Sequence, residues 1–307
     1  MPALQRMGSL FSGIGGWEFA ARGWLQPLWA VEFAPEVAME YARNHGHAPL
    51  VENIYKVDEK LLAPVDVLVA SPPCPGFSMA RKATSVKFAD ELAGLEIPRF
   101  VKHLKPWYVA IENAPKFMLM DVCRKIIEAL KGMGYEVEAS VRDAADYGTP
   151  QRRKRTIIRA SKRPLSRVPL QEGRSWWDAV QDLELPASKL VAWQSSNLDL
   201  LPPPPEAYPV LIPGGNPPSF KASEGQGRKV WVEHWKPAPT IARAQSSGGT
   251  RVALRRGDVR GLTVEAFARL SGMPSDILLP GRSRALNILG NTIPPQLAVA
   301  ALYDVLR

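Results

Sequence analysis

The sequence predicts an α/β fold: a mostly parallel sheet with helices on both faces, joined to a smaller, loop-rich module. In the first half of the 307-residue chain, short apolar runs alternate with helical patterns, which is typical of a parallel sheet with covering helices. Beyond about residue 165 proline becomes dense and the periodicity fades. We therefore expect residues 1–165, completed by 283–307, to form one domain, and residues 166–282 to form a small second domain with a hinge.

Each predicted strand is a short apolar run that ends at a turn signal. These runs are MGSL (7–10), PLWAVE (27–32), DVLVA (66–70), WYVAIEN (107–113), YEVEASV (135–141) and RTIIRA (155–160). The predicted helices have glycine or proline near their ends. They are WEFAARGW (17–24), APEVAMEYARN (34–44), FMLMDVCRKIIEALKG (117–132), TVEAFARLSG (263–272) and NTIPPQLAVAALYDVL (291–306). Pro98 falls inside a further expected helix, and the sequence alone does not explain it.

Composition and charge indicate a globular protein with a polyanionic partner. The net charge is +9, and arginine is clustered in QRRKRTIIR (151–159), TRVALRRGDVR (250–260) and GRSR (281–284). Three such clusters favour nucleic acid over a merely solvated basic face. No signal peptide and no apolar stretch of the length of a membrane span is present, so we expect a cytoplasmic protein with no membrane partner. His45 and His47 have no third ligand in view, so no metal site is expected.

The two cysteines stand in unlike contexts, so neither a disulfide framework nor a zinc site is predicted. Cys123 lies on the apolar face of a predicted helix and is expected to be buried. Cys74 follows a buried strand within SPPCPGFSMARK (71–82), where three prolines stiffen the loop. Rigid placement suits a nucleophile, and Arg81 and Lys82 could stabilise its thiolate form.

Reactive and polar residues follow four of the predicted strands. In an open parallel sheet the carboxyl ends of the strands share one edge, where ligands bind. The residues at this edge are Phe11, Gly13, Gly15, Gly16, Glu32, Phe33, Cys74, Glu112 and Asn113. A glycine loop lets a ligand approach the backbone, and an acid 19 residues after Gly13 could accept hydrogen bonds from ribose hydroxyls. These features indicate an adenosine-type cofactor site without choosing between a dinucleotide and S-adenosylmethionine.

Glu112 ends an apolar strand, where a partly desolvated carboxyl could donate a proton. The alternative is a carboxyl engaged in an ion pair or next to a helix cap. A thiol nucleophile, a proton donor and an adenosine pocket on one edge predict covalent activation followed by group transfer.

Ordered blocks of the sequence resemble the DNA (cytosine-5) methyltransferase family over nearly the whole chain outside the proline-rich insert. The blocks are LFSGIGGWEFA (10–20), VEFAPEVAMEYARNHG (31–46), SPPCPGFS (71–78), IEN (111–113), DYGTPQRRKR (146–155), GLTVEAFARLSGMPSD (261–276) and LGNTIPPQLA (289–298). The resemblance implies a Rossmann-like methyltransferase sheet and a target-recognition domain. It also implies S-adenosylmethionine as cofactor, S-adenosylhomocysteine as product, and no metal.

The resemblance assigns site residues by matching position. The thiolate would add to carbon 6 of a cytosine that has left the duplex, the glutamic acid would act at ring nitrogen 3, and an arginine would bond the base oxygen. The catalytic residues would be Cys74, Glu112, Asn113, Arg153 and Arg155. The cofactor contacts would be Phe11, Gly13, Gly15, Gly16, Glu32, Phe33, Asn53, Ile54, Pro73 and Asn291. The contacts of a monomeric protein with double-stranded DNA would be Arg81, Lys82, Gln151, Arg251, Arg255 and Arg256.

Three other functions stay open at this point. A tRNA cytosine-5 methyltransferase would share the fold and chemistry, although its Cys-Phe-Thr signature is missing, since Arg124 follows Cys123. A catalytically idle DNA-binding relative would be expected to lack Cys74 or Glu112. An NAD-dependent oxidoreductase would leave both residues and the basic block unexplained. The target sequence, and a role in restriction-modification, phage protection or regulation, cannot be read from the chain.

Overall fold

The computed structural model describes residues 4–73, 92–189, 209–212, 232–240, 250–255 and 258–307. The chain divides into two compact units. The first unit comprises Met1–Ala144, Lys154–Leu170 and Thr292–Arg307, and the second comprises Ala145–Arg153 and Gln171–Asn291. In the part of the chain that is described, no helix has the length and apolar character needed to cross a bilayer.

A seven-stranded sheet forms the centre of the first unit. Its strands are β1 (Gln5–Leu10), β2 (Leu25–Glu32), β3 (Leu50–Val51), β4 (Val67–Ala70), β5 (Tyr108–Asn113), β6 (Glu136–Asp143) and β7 (Lys154–Ser161). Their order is β3-β2-β1-β4-β5-β7-β6. The first five strands in this order are parallel, whereas β7 is antiparallel to both β5 and β6. The predicted α/β fold with a mostly parallel sheet is confirmed.

Among the described residues, five helices belong to the first unit: α1 (Gly16–Ala21), α2 (Pro35–His45), α3 (Ile97–Leu104), α4 (Asp121–Gly132) and, near the end of the chain, Pro295–Ala301. Pro98 occupies the first turn of α3. Proline is tolerated there because the first amides of a helix have no intrahelical acceptor. The predicted helix 117–132 begins later than expected, at Asp121, because a separate 3-10 turn covers Pro115–Leu119 and Met120 is extended.

The core lies where β4 and β5 meet α3 and α4. Every residue of β4 is fully buried, as expected for a strand that is covered on both faces. Phe100 and Leu130 belong to the same apolar cluster. Cys123 is also in this cluster with 0% exposure, which confirms its predicted place in the core.

A buried arginine ties the end of the chain to the sheet. Arg159 in β7 is fully buried and forms ion pairs with Asp304 and, at 2.6 Å, with Glu138. Its Nε donates to the Tyr108 hydroxyl at 3.0 Å, and that hydroxyl donates to the carbonyl of Ala301 at 2.6 Å. A fully buried charge is tolerated only when it is paired and hydrogen-bonded in this way.

The second unit contains a four-stranded antiparallel sheet of order β11-β10-β8-β9. Its strands are β8 (Val210–Ile212), β9 (Val232–Glu233), β10 (Arg251–Arg255) and β11 (Asp258–Gly261). The helices described in this unit are α5 (Val264–Leu270) and α6 (Arg282–Asn291). The last helix of the first unit, Pro295–Ala301, is therefore α7. Thr263 caps α5 by accepting a hydrogen bond from the Ala266 amide at 3.1 Å.

Candidate active site

The register of the parallel strands places four strand ends in one row. Leu10 of β1 is paired with Val31 of β2 and with Ala70 of β4, and Ala70 is paired with Ile111 of β5. The residues that come next along each strand are Glu32, Phe11, Ser71 and Glu112. Since neighbouring strands are about 4.8 Å apart, Glu32 and Glu112 are separated by about 14 Å along this edge. The edge is therefore long enough for two adjacent ligand sites.

The glycine loop between β1 and α1 is a left-handed turn. Phe11, Gly13 and Gly15 have φ values of 55°, 58° and 85°. A Cβ on Gly15 would come within 2.0 Å of the His45 ring, and a Cβ on Gly16 within 2.7 Å of Thr292. These two glycines are therefore required by packing within the protein. A Cβ on Gly13 would meet nothing within 4 Å, so this glycine borders open space.

Glu32 connects the second strand to the glycine loop. Its Oε2 accepts a hydrogen bond from the Gly13 amide at 2.9 Å, and its Oε1 accepts one from the Ala34 amide at 2.9 Å. Burial raises the pKa of Glu32, and these amide hydrogen bonds partly offset that effect. The carboxylate keeps a lone pair that could accept a hydrogen bond from a ligand hydroxyl.

The neighbouring residues supply an apolar surface and a turn. Phe33 follows Glu32 and is 67% exposed, so its ring is available for stacking. Asn53 uses its side-chain oxygen to accept a hydrogen bond from the Tyr55 amide at 3.1 Å, and Ile54 is buried. Open space at Gly13, a carboxylate and an exposed aromatic ring together fit a ligand with a ribose and a flat base.

The chain just before Cys74 is attached to both neighbouring strand ends. The Ser71 amide donates to the carbonyl of Leu10 at 3.2 Å, and the indole of Trp17 donates to the Ser71 hydroxyl at 3.0 Å. On the other side, Nδ2 of Asn113 donates to the carbonyl of Pro72 at 2.8 Å. Pro73 is exposed.

Glu112 and Arg155 form an ion pair at the end of β5. The Nε of Arg155 lies 2.8 Å from Oε1 of Glu112, and the two side chains are 14% and 5% exposed. Thr156 supports the same corner, since its hydroxyl donates to the carbonyl of Ala114 at 3.1 Å. The planar guanidinium fixes the orientation of the carboxyl group.

The other predicted site residues fall into two groups. Arg153, Gln151 and Asn291 belong to the second unit, as do the β10 residues Arg251 and Arg255, for which only the backbone is described. Arg153 is buried and donates to the carbonyl of Gly290, Gln151 is 1% exposed, and Asn291 is exposed at the end of α6. Outside the described residues lie Cys74, Arg81, Lys82 and Arg256.

Sequence reasoning missed several residues that shape this edge. His45 contacts the glycine loop, and Trp17 bonds the start of the cysteine loop. Arg99 donates to the carbonyls of Ile54 and Val57, next to Asn53. Only Trp17, directly after Gly16, carried a local signal. The other two act across long sequence separations that no local pattern reveals. Within the described ranges, no cluster of three or more His, Cys, Asp or Glu side chains could hold a metal ion.

Comparison with known proteins identifies a family and several relatives. Residues 5–197 match the family model of C-5 cytosine-specific DNA methylase. Type II methyltransferase M1.HphI of Haemophilus parahaemolyticus is 28% identical over 97% of this chain and 86% of its own length. Type II methyltransferase M1.HgaI of Avibacterium volantium is 30% identical over 76% of each chain.

Solved structures agree on the fold. The S. pombe Dnmt2 methyltransferase superposes with a TM-score of 0.71 at 17% identity, covering 99% of this chain and 98% of that one. Spodoptera frugiperda DNMT2 gives a TM-score of 0.73 at 16% identity, covering 98% and 99%. The fold and the family match over residues 5–197 agree with the resemblance in the motifs, and the chain belongs to the C-5 cytosine-specific DNA methylase family, the DNA (cytosine-5)-methyltransferases.

Proposed function

We propose that this protein methylates carbon 5 of a cytosine that is flipped out of double-stranded DNA, through a covalent bond between Cys74 and carbon 6. The observation that carries the proposal is the buried ion pair of Glu112 with Arg155 at the end of β5. Directly beside it, Asn113 binds the carbonyl of Pro72, two residues before Cys74. On this proposal, the nucleophile that follows Pro72 would attack a base held by the ion pair.

S-adenosylmethionine, when bound, would supply an electrophilic methyl carbon. Glu32 would accept hydrogen bonds from the ribose hydroxyls, Phe33 would stack on the adenine, and Gly13 would let the ligand approach the backbone. Asn53 and Ile54 would line the adenine side. The same carboxylate would therefore both shape the glycine loop and bind the cofactor.

The base needs activation because carbon 5 of cytosine is a poor nucleophile. The Cys74 thiolate would add to carbon 6 while Glu112, once protonated, gives its proton to ring nitrogen 3, and the ring becomes an enamine whose carbon 5 is nucleophilic. Arg155 would bind the base oxygen while it orients Glu112. After methylation, nitrogen 3 would return its proton to Glu112 and water would accept the carbon 5 proton. The electrons of the broken C–H bond re-form the 5,6 double bond, and the sulfur departs as a thiolate with the electrons of its bond to carbon 6.

The second unit and the basic clusters would bind the DNA. Unstacking the target base costs a few kcal/mol, roughly, which contacts with phosphates can offset. The net charge of +9 supports such contacts, and they predict binding that weakens as salt rises. We assign target recognition to the second unit, and we place the enzyme in the cytoplasm.

The test uses DNA that contains 5-fluorocytosine, because fluorine cannot leave as a proton and the covalent adduct is trapped. With S-adenosylmethionine present, the wild-type protein should form an adduct with DNA that resists denaturing gel electrophoresis. Cys74→Ala should form none, and the matched control Cys123→Ala should form it normally. An active preparation without an adduct, or an adduct in the Cys74→Ala variant, would refute the covalent mechanism.

Two further measurements address the substrate. Bisulfite sequencing of plasmid from expressing cells should show protected cytosines at one recurring sequence. If bisulfite converts every cytosine of the plasmid and the same preparation methylates tRNA, the substrate is tRNA and not DNA.

A further inference from the structure

Four titratable side chains lie behind the glycine loop and take no part in the proposed reaction. They are Glu18 in α1, Tyr41 and His45 in α2, and His47 just beyond α2. Glu18 and Tyr41 are 1% and 0% exposed. Burying ionisable groups together is unfavourable unless they are hydrogen-bonded. The hydrogen bonds of these four side chains therefore indicate which part of the structure they support.

His45 holds the glycine loop directly. Its Nε2 lies 2.9 Å from the carbonyl oxygen of Ile14, and because a carbonyl oxygen only accepts, Nε2 is the donor. A Cβ on Gly15 would come within 2.0 Å of the same nitrogen. The ring packs against Phe19 and Tyr41, with centroid distances of 4.6 Å to each. His45 therefore fixes the direction of the Ile14 carbonyl and leaves room only for glycine beside it.

A chain of hydrogen bonds supports His45 from behind. The Tyr41 hydroxyl donates to Oε1 of Glu18 at 3.2 Å and lies 3.1 Å from Nε2 of His47. Nδ1 of His47 lies 3.2 Å from the backbone carbonyl of His45. The chain thus leads from a buried carboxyl of α1 to the last residue of α2, and it fixes the two helices to each other at this end.

The glycine loop is therefore held at two adjacent points from two directions. Glu32 binds the amide of Gly13, and His45 binds the carbonyl of Ile14. Gly13 itself borders open space, since a Cβ there would meet nothing within 4 Å. A loop that is held in its binding shape before the ligand arrives loses less conformational entropy on binding.

We propose that His45 is a positioning residue for the cofactor site, where it holds the glycine loop in its binding shape with the Glu18, Tyr41 and His47 chain as support. The inference rests on the proposed function, because it takes S-adenosylmethionine as the ligand of the loop. The base would react at the end of β5, which is two strands away from β1 in the sheet. His45 should therefore govern cofactor affinity and leave the chemical step unchanged.

Calorimetric titration with S-adenosylhomocysteine tests the inference. His45→Ala should weaken binding about tenfold, the loss expected for one hydrogen bond. His45→Gln should recover most of the affinity, because its side-chain amide can donate to the Ile14 carbonyl. His103→Ala, on an exposed position of α3, is the matched control and should bind as the wild type does. The KM for S-adenosylmethionine should follow the Kd, while kcat and the KM for DNA stay within about a factor of two.

Each outcome bears on a different claim. Equal affinity of His45→Ala and wild type would overturn the role of His45. If His45→Ala does not fold, Tyr41→Phe, which removes one hydroxyl, should still weaken binding about threefold through the support chain. Unchanged affinity in that variant would then overturn the inference. A wild-type protein that binds no S-adenosylhomocysteine would overturn the proposed function itself.

Discussion

Asn113 donates a hydrogen bond from its side-chain amide to the carbonyl oxygen of Pro72, at 2.8 Å. Its side-chain oxygen accepts the Ala114 amide at 2.7 Å. The end of β5 is thereby attached to the end of β4, two residues before Cys74. On the proposed mechanism, one buried amide group couples the position of the nucleophile to the position of Glu112, its neighbour in sequence.

Asn113→Asp tests this coupling, because aspartate keeps the acceptor for Ala114 and loses the donor to Pro72. We expect the single-turnover rate of methyl transfer to fall about 10- to 100-fold, since a displacement near 1 Å can cost that much. Affinity for S-adenosylhomocysteine should change less than about twofold. Asn44→Asp, which removes a donor to the carbonyl of Glu40 in α2, is the control and should keep the wild-type rate. A normal rate in Asn113→Asp would show that this bond does not position the nucleophile.

Removing one partner of the Glu112 and Arg155 pair should destabilise the protein strongly. Arg155→Met leaves a carboxylate whose side chain is 5% exposed without its partner. We expect the free energy of unfolding in urea to fall by about 3 kcal/mol. The double variant Glu112→Gln with Arg155→Met should recover part of the loss, because no unpaired charge remains. Strictly additive effects of the two substitutions would contradict this account of the pair.

Glu18 should make stability depend on pH. Burial raises its pKa to about 7, from an ordinary value of 4.5. The folded state therefore favours the neutral acid. The contribution of Glu18 to the free energy of unfolding is fully present below about pH 4.5 and is lost as pH rises through about 7. Glu18→Gln stays neutral, so its stability relative to wild type should rise between pH 5 and pH 8, by up to about 3 kcal/mol. Urea unfolding at both pH values measures this, and a constant difference would mean that Glu18 titrates normally.

Arg99 should govern the adenine side of the cofactor site. Its guanidinium donates to the carbonyls of Ile54 and Val57 and pairs with Glu59 and Glu96, so it attaches the turn at residues 53–61 to α3. Arg99→Ala should weaken S-adenosylhomocysteine binding about tenfold, since several hydrogen bonds to that turn are lost. Arg99→Lys should retain only part of the affinity that Arg99→Ala loses, because an ammonium group cannot reproduce the planar, two-sided hydrogen bonding of a guanidinium.

The control for Arg99 is another arginine with two acidic partners. Arg124 on α4 pairs with Asp121 and Glu128, and all three side chains are more than half exposed. Such exposed pairs contribute little, so Arg124→Ala should bind the cofactor product normally. Equal affinities of the Arg99 and Arg124 variants would show that the turn keeps its shape without Arg99.

The sequence predicted the features that local chemistry controls. The strands β4 and β5 were recognisable because a strand buried on both faces is continuously apolar. Cys123 was assigned to the core because it lies on the apolar face of a helix. The common edge of the strand ends followed from the rule that parallel strands share a carboxyl edge. Contacts between residues far apart in sequence were not recognisable, and the ion pair of Arg159 with Asp304 is one example.

By itself, the sequence determined the family, the α/β class and the residues that come after each parallel strand. Apolar periodicity and motif spacing depend only on residues close together in the chain, so they can be recognised without the structure. Only the tertiary structure decided that Arg155 pairs with Glu112 while Arg153 bonds Gly290, and that His45 supports the glycine loop. Two arginines separated by one residue look alike to any local pattern. Which of them meets the carboxyl depends on the register of β7 against β5, a relation between segments more than 40 residues apart.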